Sequence, residues 1–176
     1  MKFVPLSLHG AYLIELERLE DERGFFARTW CAREFEAHGL NPRLTQCNLS
    51  QNAKRGTLRG MHFQAAPHEE AKLVTCVSGA IHDVIVDLRA GSPTYRQWIA
   101  VELRGTGATW RGLYVPEGFA HGFQTLLDDS LVFYQMSEFF APESARGIRY
   151  DDPGLGIEWP IPGPIVSVKD RSYPTL

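Results

Sequence analysis

Cysteine is scarce in this chain. Only three occur in 176 residues, Cys31, Cys47 and Cys76, widely spaced and without a CxxC pair. That spacing argues against a zinc ribbon or a dithiol redox centre and leaves buried or semi-buried thiols as the expectation. Long apolar runs are missing as well. No stretch approaches the roughly 20 apolar residues with which a helix spans a bilayer. In the opening MKFVPLSLHGAYLIELERLE, Pro5 and a run of charges interrupt anything resembling a signal-peptide core. Together with unpaired cysteines this makes the cytoplasm the expected location and a membrane an unexpected partner. Positive charge is not in excess either: 18 Lys and Arg stand against 21 Asp and Glu, a net charge of -3. Without a broad basic field nucleic acid is not an expected partner, and any anion has to be met by a local pocket. Low-complexity segments, fixed-period repeats and Gly/Ser linkers are not found, so residues 1–176 read as a single domain.

What is there is mostly short and extended. The runs KLVTCV, AIHDVIVDL, QWIAVEL, LYVP, HGFQTLL and SLVFYQMSEFF are separated by turn signals such as Ser78-Gly79 and AGSPTY. In HDVIVDL, His82, Val84, Val86 and Leu88 share one face of a strand while Asp83, Ile85 and Asp87 share the other. One helix is expected over about residues 29–38, with Thr29 as N-cap and Gly39 at its end. Many short strands without βα alternation predict an all-β fold, a double antiparallel sheet of jelly-roll type with one or two short helices. The proline-rich tail PIPGPIVSVKDRSYPTL keeps strand-like order and is expected to pack rather than hang loose.

The chemistry concentrates in QCNLSQNAKRGTLRGMHFQ, which carries Gln46, Asn48, Lys54, Arg55, Arg59, His62 and Gln64. Alternate strand positions can direct several of these into one wet cavity, although a pair of exposed polar strands would show the same density. Further on, VPEGFAHGFQ sets Pro116, Gly118 and His121 in the Pro-x-Gly-x-x-His order that resembles the second motif of the cupin superfamily. Metal cupins carry His-x-His in the first motif, where this chain reads His62-Phe63-Gln64. An amide is a poor transition-metal ligand beside an imidazole. His62, His121 and Glu69 remain as a three-ligand alternative, but metal-free and cofactor-free chemistry is the expectation.

The resemblance then narrows. DERGFFARTW, QCNLSQNAKRGTLRGMHFQ, EAKLVTCVSGAIHDVIVDLRAGSPTY, LYVPEGFAHGFQTL and DPGLGIEWP, in that order, look like the dTDP-4-dehydrorhamnose 3,5-epimerase family over nearly the whole chain. That resemblance implies a homodimeric jelly roll that inverts C3 and C5 of a dTDP-linked 4-keto-6-deoxyglucose without cofactor, on the route to dTDP-L-rhamnose. It makes the histidine of LRG-x-H, His62, the catalytic base, with Asp170 of S-x-K-D as its partner. A carboxylate on one imidazole nitrogen fixes the tautomer and makes the other nitrogen the stronger base.

The same resemblance makes Tyr134, eight residues before Pro142, the general acid, and Lys72 of EAKLV the cation that steadies an enolate oxygen. Inversion asks for such an acid, because a base acting alone returns the proton to the face it came from. Arg59, and Arg23 from a paired subunit, correspond to arginines that grip the diphosphate, where a planar fork suits two oxygens. Phe26, Gln46, Asn48, His121 and Glu143 carry over as sugar or nucleotide contacts, and Lys169 as a phosphate contact. Two positions depart from the family pattern: Arg28 stands where many members have a glutamate, and Phe140 where the pattern has a tyrosine. The alternatives weighed beside this reading are an epimerase of another nucleotide-linked 4-keto-6-deoxyhexose or of one carbon only, a metal-dependent cupin such as a dioxygenase, and a non-enzymatic sugar-binding cupin.

Overall fold

The protein is described by a computed structural model covering residues 1–105 and 110–176. In chain order the elements are β1 (Lys2–Pro5), β2 (Tyr12–Glu15), β3 (Arg18–Asp21), β4 (Gly24–Ala27), α1 (Ala32–Ala37), β5 (Gln46–Asn52), β6 (Thr57–Gln64), β7 (Lys72–Ser78) and β8 (Ala80–Asp87), followed by β9 (Trp98–Arg104), β10 (Arg111–Val115), β11 (Phe119–Thr125), β12 (Ser130–Met136), β13 (Ala145–Gly147), β14 (Ile165–Val166) and α2 (Val168–Arg171). One antiparallel sheet runs β1-β2-β10-β7-β12-β5 and the other β13-β6-β11-β8-β9, with β14 added parallel to β6. The β3–β4 pair forms a separate two-stranded ribbon. This is the expected double-sheet, cupin-type all-β fold with two short helices. No helix among the described residues is long and apolar enough to cross a membrane.

Strand alternation sorts the side chains into layers. Val74, Cys76, Ile81, Ile85, Leu113, Phe119, Phe123 and Val132 meet between the sheets as the main core. On β8 the intervening residues Val84 and Val86 face the other way, yet they are also buried, against Met61, Ile148, Leu155 and Ile157. The segment after β13 covers that outer face, and Trp98 and Trp159 pack against the cluster. Hence β8 reads as a nearly continuous apolar run rather than a half-solvated strand. A third cluster, on the outer face of the first sheet, buries Phe35 of α1 with Ile14, Leu73 and Tyr114.

Two expectations need correction. The helix begins at Ala32, with Cys31 in extended conformation as N-cap and no side-chain cap bond, so Thr29 does not cap it. Residues 28–30 stay outside the helix, and Trp30 packs its ring 6.1 Å from that of Phe35. Cys47 is exposed, while Cys31 is half-buried and Cys76 buried. On β5 Gln46 and Asn48 lie on the side that lines a cavity, and alternation puts Cys47 on the other side. The tail does pack: Ile165 and Val166 pair with Thr57 and Leu58.

The β6–β11 contact is closer than ordinary side chains permit. A Cβ on Gly60 would meet the Gly122 Cα at 2.5 Å, and one on Gly122 would meet the Arg59 carbonyl oxygen at 2.9 Å. Gly60 also has φ 134, which disfavours a replacement on conformational grounds. Gly122→Ala should therefore cost about 1–3 kcal/mol of stability through overpacking, read as a lowered urea midpoint at unchanged slope.

Candidate active site

The two sheets do not enclose the same kind of interior from end to end. On β7 the core-facing series Cys76, Val74 continues to Lys72, and on β12 Val132 continues to Tyr134 and Met136. On the opposing sheet Ile85 and Ile81 flank Asp83, and Phe119 and Phe123 flank His121. His62 lies directly across from His121 in the β6–β11 register. Five polar or ionisable groups therefore project inward near one end of a sandwich that is apolar at the other. Beside them opens a cavity of about 400 Å³ lined by Gln46, Asn48, His62, Phe63, Gln64, Glu70, Met136, Phe140, Ala145, Arg146, Lys169 and Tyr173. That volume is of the size that holds a small organic ligand.

His62 is the best-defined group in it. Its Nε2 lies 2.8 Å from Asp170 Oδ1, and the Gly60 backbone N–H donates to Asp170 Oδ2 at 3.4 Å. The Asp170 side chain is nearly buried, whereas that of His62 is 41% exposed, so the imidazole faces the cavity and its partner does not. Burial pushes the Asp170 carboxyl up, but the hydrogen bond and charge of His62, with the Gly60 and Ser167 contacts, outweigh it and hold the group below the usual carboxylate range. The sequence delivers Asp170 there in three local steps. The β14–β6 pairing fixes the tail, Ser167 caps α2 by accepting from the Asp170 N–H at 3.0 Å, and the single helical turn then aims the carboxylate at β6. With Nε2 engaged, Nδ1 is the nitrogen left for a substrate proton.

The His62 ring is walled by Tyr173, centroid to centroid 5.8 Å. Its register partner Gly147 makes room for that wall, since a Cβ there would enter the Tyr173 ring at 2.4–2.6 Å. Lys72 is buried and pairs with Glu70 at 2.8 Å, and its Nζ lies 3.5 Å from the His62 carbonyl oxygen. Burying an ammonium is costly unless it is paired. Glu70 supplies the partner and also lines the cavity. Tyr134 is register partner of Asn48 and Val74. Burial, reinforced by the Asp83 charge and only partly opposed by Arg59, pushes its phenol well above the ordinary tyrosine range and keeps it protonated.

The other expected residues fall into groups. Arg59 lines an adjoining cavity with His62, Lys169 and Asp170, and its Nε donates to buried Asn52 at 2.7 Å. Gln46 and Asn48 line the main cavity, and the Gln46 side chain accepts from the Phe140 N–H at 3.2 Å. His121 sits deeper, buried against Asp83. Arg23 and Phe26 are exposed on the β3–β4 ribbon, and Glu143 is exposed near His68; none of the three lines either cavity within one chain. Gln64 is spent on structure: it donates to the His68 and Phe139 carbonyls and accepts from the Ala141 N–H. Among the described residues no three His, Cys, Asp or Glu side chains converge as a metal-binding group, and Glu69 is exposed.

Sequence reasoning missed Glu70, Asp83, Arg146 and Tyr173. Asp83 did carry a signal, a charge alternating with Ile81 and Ile85 on a core face. The others become visible only when the register is known.

A carboxylate-backed imidazole lines the cavity, and a buried phenol and a paired ammonium stand on the neighbouring strands β12 and β7; the fold is that of the double-sheet, cupin-type proteins. Comparison with known proteins narrows this. A sequence model of the dTDP-4-dehydrorhamnose 3,5-epimerase family matches residues 5–176. A protein of that name from Sinorhizobium fredii is 42% identical over 178 residues, covering 100% of this chain and 90% of its own. The crystal structure of a dTDP-4-dehydrorhamnose 3,5-epimerase from Elizabethkingia anophelis superposes with TM-score 0.95 at 39% identity, covering 99% of this chain and 96% of that one. One from Bacillus anthracis, with TDP and pyrophosphate bound, gives 0.94 at 40% identity and 99% coverage of both. The chain belongs to the dTDP-4-dehydrorhamnose 3,5-epimerase family.

Asp170 also makes the site's assembly sensitive to acid. A folded-state pKa below the unfolded value stabilises the protein above the unfolded pKa, about 3.9, and that contribution is lost as pH falls through the folded pKa. The stability gap between wild type and Asp170→Asn should accordingly be full at neutral pH and shrink in acid, as measured by urea midpoints across that range. A gap independent of pH would sink this account.

Proposed function

We propose that this chain, acting over residues 1–176 as one domain, inverts C3 and C5 of a dTDP-linked 4-keto-6-deoxyhexose by proton transfer, as a dTDP-4-dehydrorhamnose 3,5-epimerase. The observation that carries this is the Asp170-backed His62 facing a cavity whose surroundings include a buried cation and a protonated phenol. A hydrogen on carbon beside the C4 ketone is acidic because the resulting charge moves onto oxygen. His62 Nδ1 takes that proton, and the carbanion becomes an enolate. The Lys72 ammonium stabilises the developing charge on O4, which is where a preorganised cation lowers the barrier most. Tyr134 then returns a proton from the opposite face, inverting the centre. Repetition at the second carbon gives the doubly inverted product, with the ketone acting twice as the activating group.

Arg59 and Lys169, which share the adjoining cavity with His62, serve the diphosphate, and Gln46, Asn48 and Phe140 face the remainder of the nucleotide sugar. Arg23, Phe26 and Glu143 fit a different role. The β3–β4 ribbon exposes Leu19 at 69%, Phe25 at 46% and Phe26 at 73%, an apolar surface that a small ribbon gains little from displaying to water. In a homodimer that surface is covered by a second copy, and Arg23 reaches the partner's diphosphate site. The three free cysteines accord with a reducing, cytoplasmic setting.

Proton NMR of dTDP-4-keto-6-deoxyglucose in D2O with the EDTA-treated protein tests the reaction. Deuterium should enter at both C3 and C5, and His62→Ala should slow entry by about 10²–10⁴-fold. Entry at a single carbon would make the protein a mono-epimerase, and activity that requires added metal would overturn the mechanism. Separately, Phe26→Glu should shift the sedimentation of the protein from dimer to monomer and lower turnover with it.

A further inference from the structure

Behind Tyr134 lies a second carboxylate–imidazole pair that the proton transfers above leave unused. His121 Nε2 is 2.5 Å from Asp83 Oδ1, and the two side chains are 5% and 0% exposed. The pair repeats the arrangement of His62 and Asp170 one strand away, because His121 is the register partner of His62 and both spend Nε2 on a carboxylate. It differs in lying out of solvent, and in that Asp83 Oδ2 has no hydrogen-bond partner among the described residues. A carboxylate held in a core with half its acceptor capacity unmet is costly, and a hydrophobic pair of the same size would serve packing better. Tyr134 stands next to it, its ring edge-on to His121 at 6.0 Å between centroids.

We propose that Asp83 is a positioning residue for proton delivery, holding His121 in its Nε2–H tautomer and setting a fixed negative charge behind Tyr134. This rests on the reading of Tyr134 as the acid. The groups around Tyr134 account for the sign. Arg59 on β6 favours the phenolate; Asp83 on β8 disfavours it. Asn48 and Val74 on the flanking strands are uncharged, and farther along β7 the Lys72 charge is paired with Glu70. Asp83 is thus the negative charge set against Arg59. The fixed tautomer leaves His121 Nδ1 as an acceptor.

Asp83→Asn keeps the size and a hydrogen-bond acceptor and removes the charge. Turnover should fall by about tenfold while KM stays within about twofold, since the loss is of transition-state proton delivery and not of binding. Tyrosinate absorbance of Tyr134, taken as the difference between each protein and its Tyr134→Phe counterpart, should appear at lower pH in the Asp83→Asn background than in wild type. A titration that does not move overturns the proposal. If Asp83→Asn does not fold, the native protein still decides. In ¹⁵N-histidine NMR, with His121 assigned by its loss in His121→Gln, the resonance should show Nε2 protonated and Nδ1 bare, and the opposite tautomer overturns the proposal. The tyrosinate titration and the histidine NMR use no substrate, so their failure is distinct from a failure of the epimerase reading, which the deuterium experiment reports.

Discussion

A carboxylate from near the end of the chain has to reach an imidazole on the sixth strand, 108 residues earlier, and much of the site's architecture serves that hydrogen bond. The parallel pairing of Ile165–Val166 with β6, the Ser167 cap and the single turn of α2 bring Asp170 in, and the Gly60 backbone N–H donates to the same carboxylate. Gly147 then admits Tyr173 against the His62 ring. None of these contacts adds a large increment to stability by itself. Their joint effect is to settle which nitrogen of His62 is occupied and which faces the ligand.

The second constraint is dielectric. Lys72, Asp83, His121 and Tyr134 occupy core-facing positions on strands whose other inward residues are aliphatic or aromatic, so their charges and dipoles act with little screening. The arrangement is tolerable because the groups compensate one another: Glu70 for Lys72, Asp83 for His121, Asn52 for Arg59. Tyr134 is the exception, with burial itself as the main influence on its phenol. An imidazole, a phenol and an ammonium carried on separate strands are thus brought near one another once the sheets close over them.

How much of this was legible beforehand follows from the range of each interaction. Period-two alternation located the strands from β7 to β12 and the two faces of β8, because it is a local property of the backbone. His62, Lys72, Tyr134 and Asp170 were marked by motif resemblance, and the fold brings His62 and Asp170 into contact. The late start of α1, the exposure of Cys47 and the structural use of Gln64 depend on tertiary packing, to which residue type is a poor guide. Asp83 and His121 are separated by 38 residues and meet diagonally across a strand pair, so their contact was invisible without the register. Phe26 and Glu143, which the resemblance grouped with the site, stand away from the cavity within one chain, as does Arg23, which the resemblance assigned to a paired subunit.

The two cavities share His62 and Lys169, so the imidazole is a partition and not a floor. A ligand that occupies both chambers has to bend over it. Rigid linear molecules, however well charged, would fill one side and leave the other to water, while a molecule with a flexible joint near its middle places that joint's neighbour against the ring. The shape of the two chambers thus favours a ligand with a joint near its middle over a rigid rod.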